Sequence, residues 1–412
     1  MAEHTTINPA VKRIELAVTP AVKAVSAPSD DSTATSSRRP RRGTRMHIGI
    51  ATHNYPPHLG GLEAIVHHLA RGFAAEHDVT VVTTAWDGRS GVTEEDGVTV
   101  HRLPAWHGTE DRGVPYATPV GPGIFAACAA LRSCDVVHAH GSLYSTTLLG
   151  SWARRRGVPL FITEHVGFVE YPSRALNTLQ RLAWSSIGSP LVRRSQKVIA
   201  YNSRVADWLS SRFGAGAVSF IANGVDTTAF CPVSPVEQRQ ARARLGLPEG
   251  ERLALFVGRA AQKKNLDAVL ASPQRAYRLV VCGAKRVLPD DVLNLGAVPY
   301  ASMPEVFAAA DFLLHPATGE GFPVTVQEAM ASGLPVVLLW DSGYAHSVSR
   351  DALVAVDAIG DVGPAAARLA ADAEERAAIG RRAREYAVQN WNWNVTVSRH
   401  LELFEAARSA KP

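Results

Sequence analysis

The sequence predicts an α/β protein built from two doubly wound domains that face each other across a cleft. Three observations carry this expectation. From Met46 onward, short apolar runs alternate with amphipathic helical stretches, the pattern of a parallel sheet covered on both faces. A second series of the same kind begins at Leu253, after a polar stretch that opens at Asn223-Gly224-Val225-Asp226. The 412 residues suffice for two sizeable cores, and no internal repeat at a solenoid period is evident. Sheets of this kind collect ligands at the carboxyl ends of their strands, so two such edges are expected to line the cleft.

Residues 1–45 stand apart. Ser, Thr, Ala and Pro dominate, and the stretch ends in Arg38, Arg39, Arg41, Arg42 and Arg45. With no apolar segment of the secretory type, it reads as a disordered basic tail. Contact with an anionic membrane surface is the functional alternative for its arginines. The first domain, 46–222, should open with a strand at His47–Thr52. A helix follows, on which Leu62, Ile65, Val66, Leu69 and Phe73 recur at helical spacing. Further strands are expected at Val79–Thr83, Val98–Leu103, Val136–Ala139, Leu160–Thr163, Val198–Tyr201 and Ser219–Ala222. Ala175–Val192 should be helical, with a break at Gly188–Pro190. Residues 223–250 read as a polar linker. The second domain, 251–390, is expected to place strands at Leu253–Val257, Leu279–Cys282, Phe312–Leu314, Val336–Leu339 and Leu353–Val356. Helices around Glu374–Gln389 and Val395–Ala407 close the chain, and 391–412 should pack back toward the first domain.

Composition narrows the class. Hydrophobic residues make up 46% and charged residues 20%, as in ordinary globular proteins. No apolar run reaches the roughly 18–20 residues that a membrane span needs. A net charge of +5 is too mild to indicate a nucleic-acid partner. The four cysteines lack metal-ligand spacing, and three fall in or beside apolar segments, which suits buried thiols in a reducing cytoplasm.

The most informative stretch runs from Gly319 to Val337. Pro323 suits the first turn of a helix and Gly333 its end, with a buried strand next. First-turn amides around Phe322 to Thr325, other than Pro323 which has none, would then form an anion site at the positive end of the helix dipole. Glu320 lies in the preceding loop, and Glu328 should face out from the second turn. Carboxylates accept hydrogen bonds from hydroxyls, so one could serve a sugar ring and the other a ribose. Arg259 and Lys264, just after a buried strand, supply the cations that a diphosphate between two carboxylates requires.

This constellation resembles the retaining glycosyltransferases of family GT4. The family carries an E-x7-E motif, matched by Glu320 and Glu328, and a Gly-Arg followed five residues later by Lys, matched by Gly258, Arg259 and Lys264. Tyr55-Pro56-Pro57 with Gly60-Gly61, Thr163-Glu164-His165 and Asn223-Gly224-Val225-Asp226 add anchors in the same order. The resemblance implies the two-domain GT-B architecture of Rossmann-like halves. It implies transfer of a sugar from a UDP- or GDP-sugar to a hydroxyl acceptor, with retention of configuration. Lys264 and Arg259 would neutralise the leaving diphosphate, Glu320 would face the donor sugar, and His165 would hydrogen-bond a sugar hydroxyl. Gly258, Gly321, Phe322, Pro323, Val324 and Glu328 would contact the donor, while Gly60 and Gly61 allow close backbone approach to a phosphate. Glu63 reads as a helix cap.

His138 is expected in the packing and His140 at the cleft mouth. Neither joins a set at zinc spacing, and no Asp-x-Asp motif is present, so no metal or other cofactor is expected. Three departures from the family stand out. Gly283-Ala284-Lys285-Arg286 replaces the usual nucleobase region, Pro323 stands where many members have Gly, and Asp341-Ser342-Gly343-Tyr344-Ala345-His346 replaces a Gly-Gly-x-Pro-Glu loop. The expected acceptor is a glycolipid or polysaccharide intermediate, with peripheral membrane contact by the Leu-, Trp- and Arg-bearing stretch Ala175–Arg194. A small secondary metabolite is the alternative acceptor. A nucleotide-sugar epimerase or a non-catalytic sugar-nucleotide sensor are the alternative functions. The expected location is the cytoplasm or the inner face of its membrane.

Overall fold

The computed structural model describes residues 45–58, 61–107, 117–154, 157–165, 167–168, 173–214, 216, 218–272 and 276–409. Apart from Arg45, the N-terminal tail therefore lies outside the described residues. In the first half, strand β1 (His47–Ala51) leads into α1 (Gly61–Ala74), whose Ile65, Val66, Leu69 and Phe73 are buried. There follow β2 (Asp78–Thr84), β3 (Gly91–Glu95), β4 (Val98–Leu103) and a two-strand ribbon of β5 (Ala105–Trp106) and β6 (Thr118–Pro119). Next come α2 (Gly123–Arg132), β7 (Val136–His140), α3 (Ser145–Arg154) and β8 (Leu160–Glu164). The half closes with α4 (Arg174–Ala183), α5 (Ser189–Arg194), β9 (Lys197–Ala200), α6 (Ser203–Phe213) and β10 (Val218–Phe220). The sheet order is β10-β9-β8-β7-β1-β2-β4-β3, parallel except for β3 at one edge.

Two expectations change here. The antiparallel edge strand β3 was not foreseen, because Gly91-Val92-Thr93-Glu94-Glu95 is exposed along its length and has no apolar face to read. The break expected at Gly188–Pro190 is absent. Trp184–Gly188 forms a π-helical turn that joins α4 to α5, and Ser189 N–H donates to Trp184 O. The wider turn shifts the hydrogen-bond ladder just before Pro190, where an α-helical bond would have been lost.

The second half contains α7 (Pro235–Leu245), β11 (Leu253–Val257), α8 (Leu266–Leu270), β12 (Arg278–Cys282) and β13 (Val292–Gly296). After these come α9 (Met303–Ala309), β14 (Phe312–His315), α10 (Val324–Ala331), β15 (Val336–Leu339) and β16 (Val354–Val356). Its sheet is fully parallel, in the order β13-β12-β11-β14-β15-β16. Strand β13 follows β12 with no helix between them, where Val292–Gly296 had no assignment from sequence. The stretch 223–250 is more than a linker. Ser234 and Glu237 form a capping box at the start of α7, and Ala241 and Leu245 enter the core of the second half. Its polar surface hid it, since even the buried Arg242 is satisfied by Asp311 at 2.8 Å and by backbone carbonyls.

The chain ends in α11 (Val362–Ala371), α12 (Ala373–Trp391) and α13 (Trp393–Ser409). Helix α13 returns to the first half, where Val397 and Phe404 join the core of β1, α1 and β2. Val225 and Asn392 form a parallel bridge, so the chain's two crossings between the halves lie side by side.

Candidate active site

Both sheets turn their carboxyl edges toward the same region. In the second half, β11 is followed by Gly258, whose φ of +155° few other residues adopt, and a Cβ there would lie 3.4 Å from the Lys264 side chain. Lys264 closes a short 3-10 turn, Gln262–Lys264, held to the neighbouring strand by Asn265 Nδ2 donating to Pro316 O at 2.9 Å. Thr318 N–H donates to Lys263 O at 2.8 Å, which laces this turn to the loop that carries Glu320. Lys264 Nζ then sits 2.6 Å from Glu320 Oε1, and His315 Nε2 sits 3.2 Å from Oε2.

This pairing sets the charges. Burial alone would raise the Glu320 carboxyl, but His315 and Lys264 together outweigh it and hold the group at about 2. Burial lowers His315 below the usual histidine range despite its carboxylate partner. At neutral pH the trio is therefore a carboxylate, a lysine and a neutral imidazole that donates one hydrogen bond. Sequence reasoning missed His315. Its signal was a histidine ending a buried strand, the same one that pointed to His165.

Helix α10 has no side-chain cap, and the amides of Phe322, Val324 and Thr325 donate to no group among the described residues. An uncapped helix start with free amides is suited to an anion. Pro323 occupies the cap position rather than the first turn. The Phe322 ring packs against Tyr344 and Trp391 at 5.4 and 5.3 Å, so only its backbone is left for a donor. Glu328 does not face out. It is buried, its Oε1 has no partner, and burial lifts its carboxyl to about 7, partly offset by the Tyr300 hydroxyl. A buried carboxylate oxygen left unpaired is costly, so this oxygen is suited to accept from a hydroxyl or to carry a proton.

Arg259 is exposed and makes no ion pair among the described residues. Gly60 lies outside the described residues, and Gly61 begins α1 with open space where a Cβ would be. Glu63 pairs with His58 at 2.8 Å.

From the first half, His165 follows β8. Its Nε2 bonds His140 Nδ1 and its Nδ1 bonds the Tyr201 hydroxyl, both at 3.0 Å. Both ring nitrogens are thus engaged by protein, and burial with His400 nearby pushes the imidazole to about 3. His140 is fully buried rather than at the cleft mouth, because its place on β7 sets it under His165. The His165 carbonyl is what meets the other half, since a Cβ on Gly321 would lie 3.0 Å from it. That close approach gives Gly321 a physical reason.

Asn202, also unremarked in the sequence, spans the halves. Its Oδ1 caps α6 through Arg204 N–H, and its Nδ2 donates to Gly321 O at 3.0 Å and Glu320 O at 3.3 Å. The divergent loop Asp341–His346 adds to this seam. Asp341 pairs with Arg204, His346 stacks on Phe220 at 4.0 Å, and Ser347 Oγ donates to Tyr201 O. In the expected nucleobase region, Gly283 has φ +95° and packs against the Gly258 backbone, and Arg286 pairs with Asp267 at 2.5 Å.

Comparison with known proteins shows the family. Residues 59–229 match the model of Glycosyltransferase Family 4, and residues 237–386 match Glycosyl transferases group 1. A GDP-mannose-dependent alpha-mannosyltransferase of Mycolicibacterium smegmatis is 30% identical over 314 residues, covering 71% of this chain and 79% of that one. The chain belongs to the GT4 glycosyltransferases. It is also 31% identical over 315 residues to D-inositol 3-phosphate glycosyltransferase 1 of Catenulispora acidiphila, covering 68% of this chain and 74% of that one. Among solved structures, Anabaena HepE in complex with UDP matches with a TM-score of 0.67 at 19% identity, over 88% of this chain and all of that one. As a GT4 enzyme with the GT-B fold, the protein is a transferase that uses a nucleotide sugar. No helix among the described residues is long and apolar enough to cross a membrane.

Proposed function

We propose that the enzyme moves a hexose from a GDP- or UDP-sugar to a hydroxyl of a glycolipid or polysaccharide intermediate, with retention at the anomeric carbon. The observation that carries this reading is the Lys264–Glu320–His315 trio beside an uncapped helix start, with Glu328 buried and unpaired one turn further on. The diphosphate would take the free amides of α10, with Lys264 and Arg259 as its counter-charges. The Glu328 carboxylate would accept the ribose hydroxyls. As the bond from the anomeric carbon to the leaving phosphate oxygen breaks, negative charge grows on that oxygen and Lys264 stabilises it. The acceptor oxygen bonds the same face, and its proton passes to the leaving phosphate. Glu320, ionised throughout, faces the positive charge that develops on the sugar. The protein cations take the role that a metal plays elsewhere, so activity is proposed to be metal-independent.

Exposed Leu179 and Leu182 among arginines support a lipid-linked acceptor and work at the inner face of the cytoplasmic membrane. The test is a thermal-shift screen of nucleotide sugars, GDP-mannose and UDP-glucose first, since a bound ligand stabilises by about RT ln(1 + [L]/Kd). NMR of the new linkage follows. Inversion of configuration, or the absence of any stabilising nucleotide sugar, would overturn the proposal.

A further inference from the structure

In the first half, the loop after β1, the turn between β2 and β3, and strands β3 and β4 enclose a cavity of about 390 Å3, within the usual size of a ligand site. Its polar lining is mixed in kind. Asp87 and Glu95 bring carboxylates, Arg89 and Arg102 bring guanidiniums, and Ser90 and Thr93 bring hydroxyls. Arg102 ties the lining together, donating to Pro56 O at 2.6 Å, to Glu95 Oε2 at 2.9 Å and to Thr93 Oγ1 at 2.9 Å. Asp87 pairs with Arg89 at 2.9 Å. Two anions balance two cations, so the cavity favours neither a phosphate nor a free cation. Donors and acceptors held side by side suit a neutral polyol, whose hydroxyls each give and accept a hydrogen bond.

Beside the cavity stands Trp86, the residue before Asp87, with 48% of it exposed. Its ring is braced by His58 at 4.4 Å and His107 at 5.5 Å, both near perpendicular to it. His58 in turn pairs with Glu63 at 2.8 Å, and His107 Nε2 bonds Ala85 O at 3.0 Å. The indole is therefore held in place before any ligand arrives, which spares the cost of ordering it. An immobilised, exposed indole next to a polyol-suited cavity matches a pyranose, with its C–H face and its rim of hydroxyls. Trp86 follows β2, on the same carboxyl edge of the sheet as His140 and His165. Strand β2 lies three places from β8 and β4 lies four, so Trp86 and the cavity stand about 14–19 Å along that edge from His165, roughly the span of three or four linked pyranoses. We propose that the cavity and Trp86 form a distal acceptor subsite, which holds a sugar several units away from the hydroxyl that is glycosylated. The subsite rests on the transferase reading above and narrows it: the acceptor carries a chain of sugars and is not a small metabolite.

The test is initial-rate kinetics of the full-length protein at saturating nucleotide sugar. The acceptors are methyl α-mannoside, methyl α-glucoside, and linear α-manno- and α-gluco-oligosaccharides of increasing length. In wild type, kcat/KM should climb about tenfold or more from the methyl glycoside to chains of roughly four units in one of the two series. Trp86→Ala should cut the long-chain value about tenfold and Asp87→Ala about fivefold, both through KM. Rates on the methyl glycoside and melting temperatures should stay as in wild type, since both residues are exposed. As a control, Trp152→Ala removes a 39% exposed tryptophan near the end of α3, toward the opposite edge of the sheet, and should leave the length profile intact. A flat wild-type profile in both series would overturn the subsite. So would equal losses on the methyl glycoside and the long chains, which would mean a role in the cleft or in the fold, or an equal loss from Trp152→Ala. The thermal shift from a nucleotide sugar should be the same in all variants. Its presence with a flat profile removes the subsite alone, whereas its absence removes the transferase reading as well.

Discussion

Lys264 and Glu320 form a 2.6 Å ion pair between the loops after two adjacent strands, so the cation proposed to meet the donor is itself held by a carboxylate. A diphosphate entering at α10 must compete for that lysine. Replacing Lys264 with Ala should lower kcat by about 100- to 1000-fold, the usual effect of losing one donor to a developing oxyanion. Steady-state kinetics on a variant shown to be folded by circular dichroism would decide; a wild-type kcat would remove Lys264 from the chemistry.

Glu328, with its carboxyl at about 7 and its proposed place at the donor's ribose, should make donor binding pH-dependent. Only the carboxylate accepts from both ribose hydroxyls, and at pH 6 roughly a tenth of it is ionised. Donor affinity should therefore rise by up to about tenfold between pH 6 and 8, then level off. Glu328→Gln should flatten that profile and raise Kd. The same variant should be more stable above pH 7. A group whose folded pKa is raised above its unfolded value of 4.5 loses stability as pH climbs between the two. Calorimetry at three pH values, with melting curves, tests both halves.

Asn202 tests the seam. Asn202→Asp keeps the cap on α6 and removes the two bonds to Glu320 O and Gly321 O. It should lower kcat by about tenfold and also lower the melting temperature, since a buried carboxylate then faces two carbonyl oxygens. Asn202→Ala should add about 1 kcal/mol of lost stability from the missing cap. Similar kcat values in the Asp variant and wild type would show that the seam does not position Glu320.

Acid should unfold the protein through its histidines. Burial holds His53 at about 4, His165 at about 3 and His400 at about 4, and His138 and His140 also lie well below 6.5. Their folded pKa values are depressed, so the unfolded chain binds protons that the folded one refuses. Stability is full above 6.5 and falls as pH drops toward 4. His53, His165 and His400 alone should cost on the order of 4 kcal/mol by pH 5.5. Urea midpoints at pH 7.5 and 5.5 measure this, and His400→Gln should reduce the difference.

The strands β1, β2, β11 and β15 were legible because each is a short apolar run buried on both faces. Strand β3 was not, because it is an exposed edge with glutamates. The E-x7-E spacing located both carboxylates but not their states. Whether Glu328 is wet or buried depends on Tyr300 and the neighbouring sheet, and His315 matters only because β14 sets it beside Glu320. Asn202 lies 119 residues from Gly321, so the contact belongs to the packing of two halves rather than to any local pattern.

The bridge between Val225 and Asn392 has a mechanical consequence. Val225 N–H donates to Trp391 O at 2.7 Å, and a Cβ on Gly224 would strike the Trp393 ring at 2.3 Å, so both strands of the crossing are locked together at one point. With α13 anchored on the first half, any swing of the second half would have to turn about that pin, like a door on a single post. Parting the halves would have to break the Asn202 and Arg204 contacts, the Ser347 bond to Tyr201 O and the His346 stack on Phe220 together, and re-forming them would return Glu320 to the same place.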